Sequence, residues 1–92
     1  MDEGKLRDEL ARGQRAVDLL RNDLLVDAFQ ELVKQYHLAW RSTEPADGDR
    51  REYLFNLFTA LNDLKGHLDQ IVENGELAKR QIDDLQGRRR MF

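Results

Sequence analysis

Ninety-two residues make one small domain's worth of chain, 36% of it charged, with a formal net charge of −3 and no cysteine. The absence of cysteine excludes a disulfide framework, a thiolate zinc site and a cysteine nucleophile together. The acidic balance argues against a chain built as a whole to coat nucleic acid.

A chain of this length buries roughly 60–65% of the surface its unfolded form exposes, so its core is modest and a homo-oligomer is a reasonable expectation. No apolar run approaches the roughly 18 residues that span a bilayer. The acidic, amphipathic start "MDEGKLRDEL" is the opposite of a signal peptide, and a soluble intracellular protein is expected. Charge is uneven along the chain. Residues 1–11 hold four acids against two bases, and residues 76–92 hold five bases against three acids.

Helical periodicity dominates. Leu6, Leu10, Gly13, Val17, Leu20 and Leu24 alternate four- and three-residue steps, a heptad-like seam with one hole at Gly13. It predicts a first helix over about 3–20, packed on the hairpin of the next two helices or on a second subunit. From Asn22, a good N-cap residue, Leu25, Ala28, Phe29, Leu32, Val33, Tyr36, Ala39 and Trp40 form one stripe. This second helix is expected over 23–42, because Pro45 disfavours the α conformation at Glu44.

A third stripe, Leu54, Leu57, Phe58, Leu61, Leu64, Leu68, Ile71 and Val72, predicts a helix over 50–73. Asp49 is its candidate cap, and "ENG" at 73–75 is its stop, with Gly75 in the left-handed conformation that closes helix C-termini. Gly66, inside the stripe, suits a close approach of another backbone. Leu77, Ala78, Ile82 and Leu85 predict a short last helix over 76–86, followed by a frayed basic tail at 87–92.

The architecture expected is therefore all-α. A long antiparallel hairpin, joined by the short stretch "STEPADGD", carries a flanking N-terminal helix and a short C-terminal one in a single domain, 1–92. Pairing Trp40 with Tyr53 or Leu54 sets Tyr36 near Leu57, Val33 near Leu61 and Phe29 near Leu64. Tyr36, Trp40, Tyr53 and Phe58 then gather below the turn, as core anchors or as the rim of a binding surface; the weight of apolar residues there favours anchoring.

No set of groups converges for catalysis. His67 has only Asp63 one turn away, His37 lies beside Tyr36 and Trp40, and zinc needs three or four ligands. Ser42 has no histidine placed to activate it, and the glycines form no phosphate loop. No catalytic residue, metal or cofactor is expected. Arg88, Arg89 and Arg90 are the candidate contacts to nucleic-acid phosphate or to an acidic partner, whereas Arg7, Arg12, Arg15 and Arg21 are interleaved with acids and suit intrahelical pairs. A protein partner fits more residues: Phe55, Ala60, Leu38 and Val26 lie off the main stripes, and helices apolar on more than one side need further cover. Tyr36, Trp40, Tyr53 and Phe55 are the aromatic candidates for core or interaction.

Three stretches, "RGQRAVDLLRNDLLVDAF", "YHLAWRSTEPADGDRREYLF" and "ALNDLKGHLDQIVENGELAKRQIDDL", resemble small helical proteins encoded by tailed bacteriophages and prophages. The resemblance lies in an aromatic–x–x–Ala–Trp helix end, a Thr-x-Pro turn, an Arg-Glu opening and an Asn-Gly-x-Leu-Ala junction. It implies a non-enzymatic product made with head and DNA-packaging proteins, in the bacterial host cytoplasm or on the virion, acting by assembly with itself or with a packaging component. A small-terminase-like DNA binder is the runner-up, although the usual helix-turn-helix is missing. A host-directed inhibitor is the third alternative.

Overall fold

A computed structural model describes the backbone of residues 2–91 and the side chains of residues 2–89. The fold is all-α, with three helices and no strand among the described residues: α1 Glu3–Leu20, α2 Asp23–Arg41 and α3 Gly48–Met91.

The first two helices follow from local signals. Asp2 Oδ1 accepts hydrogen bonds from the Gly4 and Lys5 amides at 2.9 and 3.3 Å, which opens α1. Asn22 Oδ1 accepts from the Leu25 amide at 3.0 Å, so the expected cap of α2 is formed. The α2 end has no glycine. Ser42 Oγ donates to the Leu38 carbonyl at 2.9 Å, and Thr43 Oγ1 to the Trp40 carbonyl at 2.6 Å. The same two carbonyls also accept the Ser42 and Thr43 amides, each at 3.1 Å, so backbone and hydroxyl together close the last turn. Pro45 follows in the turn, as expected.

The entry to α3 differs from expectation. Asp47, not Asp49, stands at the boundary: its carbonyl accepts from the Arg51 amide at 3.0 Å, and its side chain accepts from the Glu44 amide at 3.2 Å. Asp49 sits inside the first turn, where its charge still faces the positive end of the helix dipole.

The larger correction concerns "ENG". The chain does not stop there; the predicted helices 50–73 and 76–86 are one continuous helix of 44 residues. No described glycine has positive φ, so Gly75 is an ordinary helical residue. Asn74 accepts a hydrogen bond from Gln70 Nε2 at 3.1 Å, one turn back along the same helix, instead of bending the backbone. The segment from 87 on is helical through Met91 rather than a frayed tail, and arginines in a last turn face the negative end of the dipole.

The described residues form two compact units, one of residues 1–20 with 67–92 and the other of residues 21–66. In the first, α1 packs on the C-terminal part of α3. Glu3 meets Arg89 and Gly13 meets Gly75, so these segments run in opposite directions. Leu6, Ala78 and Ile82 are buried together, with Leu10 and Leu85 packed against them. The hole at Gly13 is where the helices touch: a Cβ on either Gly13 or Gly75 would lie 2.8 Å from the other's Cα. Gly66 has no such role, since a Cβ there would meet nothing within 4 Å.

In the second unit, α2 lies against the N-terminal part of α3. Leu54 is buried there, at 7% exposure, while α2 contributes no buried residue at all. Two helices alone cannot enclose apolar faces this wide. Leu24, Leu32, Leu38, Trp40, Tyr53, Phe55 and Leu64 are left exposed.

Candidate interaction site

The second unit carries an apolar groove of about 190 Å³ lined by Tyr36, His37 and Trp40 of α2 and Leu54, Phe55 and Phe58 of α3. Helical spacing assembles it. Tyr36 and Trp40 are one turn apart on α2, as are Leu54 and Phe58 on α3, and His37 and Phe55 flank those pairs by one residue. Phe55 is 60% exposed and Trp40 39%, so the aromatic cluster below the turn forms the walls of an open groove rather than a closed core.

A short polar chain holds Trp40 in place. The Arg51 guanidinium carbon lies 4.1 Å from the centroid of the Trp40 ring, within the range of a cation–π contact. Arg51 Nη1 donates to Thr43 Oγ1 at 2.8 Å, and that hydroxyl donates to the Trp40 carbonyl at 2.6 Å. Backbone and ring of one residue are thus fixed by the turn and by the first turns of α3. Arg51 is half-buried, which favours the contact over that of a fully solvated pair.

Of the aromatic candidates, Tyr36, Trp40 and Phe55 come together at the groove. Tyr53 is 62% exposed and does not line it; it flanks Leu54 on the side of the helix away from Phe55, about 160° round from that residue. His37, Thr43 and Arg51 were not anticipated as site residues. His37 is exposed. Thr43 and Arg51 were visible only as parts of the turn and of the opening of the third helix. Their link depends on eight residues of chain folding back on themselves, a contact no helical periodicity encodes.

The arginine candidates lie at the other end of α3. Arg89 Nη2 is 3.2 Å from Glu3 Oε1 and donates to Glu3 Oε2 at 3.3 Å, so its charge is shared with a carboxylate. Arg88 is exposed. The side chain of Arg90 falls outside the described residues. No group of three histidine or carboxylate side chains converges among the described residues, and no described helix is long and apolar enough to cross a membrane. Comparisons with protein families, with characterised proteins and with solved structures find no match.

Proposed function

We propose that this chain is a non-enzymatic protein that works by helix-mediated protein–protein interaction, through the unit formed by α2 and the first half of α3. The observation that carries this reading is the incomplete cover of α2: a helix of 19 residues whose apolar stripe is at most half-buried, with Leu24, Leu32, Leu38 and Trp40 exposed. Large apolar side chains clustered on an exposed face mark an interaction site more often than they mark idle surface. Trp and Tyr are also enriched where binding energy concentrates.

The resemblance of the sequence to small tailed-phage proteins supports a setting in phage assembly or DNA packaging, in the host cytoplasm or on the virion. The partner is then another copy of the chain or a head or packaging component. Direct DNA contact has less behind it, because Arg89 already pairs with Glu3.

The test pairs light scattering across a dilution series with binding to purified head and packaging components, using wild type and Phe55→Asp. Phe55 is largely exposed, so the variant keeps its helicity and melting temperature. Loss of self-association or of partner binding supports the proposal. A folded variant that associates like wild type in every assay refutes the placement of the interface.

A further inference from the structure

Building on that interaction reading, we propose that the groove receives an amphipathic helix with bulky apolar anchors and an acidic flank. The groove is too small for a cofactor or a drug-sized ligand, which need about 300–1,000 Å³, and its volume of about 190 Å³ suits single large side chains. An amphipathic helix supplies such side chains at three- and four-residue intervals along one face. The lining is aromatic and aliphatic apart from His37, so affinity comes from apolar burial and orientation must come from the rim.

The rim is basic in a chain that is acidic overall. Lys34, His37 and Arg41 follow each other at three- and four-residue steps, one strip of α2. Because His37 lines the groove, that strip is its α2 edge, and Lys34 and Arg41 are exposed on it. Arg51 stands over Trp40 at the turn end. Glu52, three residues before Phe55, is the acid on the α3 edge, followed along that edge by the neutral Thr59 and Asn62. Charges of opposite sign on an incoming helix would meet Lys34 and Arg41 and set its direction.

The same rim argues against a second copy as the occupant. A two-fold contact places the same patch on both sides of the interface. With the α2 edge of each copy set against the α3 edge of the other, Lys34 and Arg41 would meet one acid, Glu52, and otherwise the neutral Thr59 and Asn62, a poorer match than an acidic flank.

The chain carries its own reporter, since Trp40 is the single tryptophan and lies in the groove. The probes are synthetic helical peptides of about 18 residues, long enough to place anchors over two or more turns: leucine and phenylalanine anchors with a glutamate flank, the same anchors with a lysine flank, and the glutamate flank with alanine anchors. The first should bind, shift Trp40 emission to the blue and weaken as salt rises. The lysine-flanked peptide should bind at least about tenfold more weakly at low salt, and the alanine peptide should not bind.

Lys34→Glu with Arg41→Glu should reverse the flank preference. Phe55→Ala should weaken the glutamate peptide about tenfold or more while leaving the melting temperature unchanged. Equal binding of the two flanks overturns the acidic-partner inference but leaves the interaction reading standing. A concentration-dependent Trp40 shift without peptide, abolished by Phe55→Ala, overturns it in favour of a second copy. A chain that binds no peptide and stays monomeric, with purified packaging components also unbound, overturns both.

Discussion

Gly75→Ala is expected to destabilise the protein although alanine is the better helix former. Within a helix, alanine gains about 1 kcal/mol over glycine. Against that, a Cβ on Gly75 would lie 2.8 Å from the Gly13 Cα and 3.2 Å from the Glu9 carbonyl oxygen. Carbon atoms in good contact sit about 3.5–4.0 Å apart, so α1 must withdraw by close to an ångström. The obstructing atoms are backbone, which cannot rotate aside. Withdrawal loosens the packing of Ala16 and Ala78, which are only 3% and 1% exposed. Overpacking of this kind costs about 1–3 kcal/mol, and more where backbone must move. Taking about 3 kcal/mol gross leaves a net loss near 2 kcal/mol once propensity is credited.

For a chain of this size such a loss lowers the melting temperature by about 8–16 °C. Gly66→Ala is the control. A Cβ there meets nothing within 4 Å and the residue is not in a left-handed conformation, so the same substitution should stabilise by up to about 1 kcal/mol. Thermal and urea unfolding followed by circular dichroism read both. If Gly75→Ala is as stable as wild type, or if the two variants shift in the same direction, the close helix crossing is wrong.

Other perturbations test the remaining parts of the fold. Asn22→Ala removes the acceptor for the Leu25 amide and should cost about 1 kcal/mol in the same unfolding assays. Leu54→Ala, at a site 7% exposed, should cost about 2–3 kcal/mol, whereas Phe55→Ala beside it should change stability by less than about 1 kcal/mol. Equal costs at the two neighbours would contradict the described faces of α3. Arg51→Ala frees the Trp40 ring and should red-shift its emission and lower its anisotropy, for a stability loss of about 1 kcal/mol; an unchanged spectrum would refute the stacking. Trp40→Ala should cost about 2 kcal/mol, below the 3–5 kcal/mol of a fully buried aromatic, because the ring is 39% exposed.

The sequence by itself determined the all-α character, the limits of α1 and α2 and the turn between α2 and α3. Those features rest on interactions within about four residues: the Asn22 cap, the three- and four-residue apolar rhythm and the conformational restriction before Pro45. Of the four residues it marked off the main stripes, Leu38, Phe55 and Ala60 are exposed and Val26 is half-buried.

Only the tertiary structure decided what each glycine does. "ENG" has the composition of a helix stop, and in isolation Gly75 is free to take the left-handed conformation. With Gly13 pressed against it and Ala78 and Ile82 buried on the same side, the right-handed helix is the conformation that keeps this contact. The merging of two expected helices into α3, and the packing of α1 on its second half, follow from that one crossing. Likewise the stripe of α2 told which side chains seek cover, but not whether the neighbouring helix is wide enough to provide it. Two helices are not, and the groove is what remains.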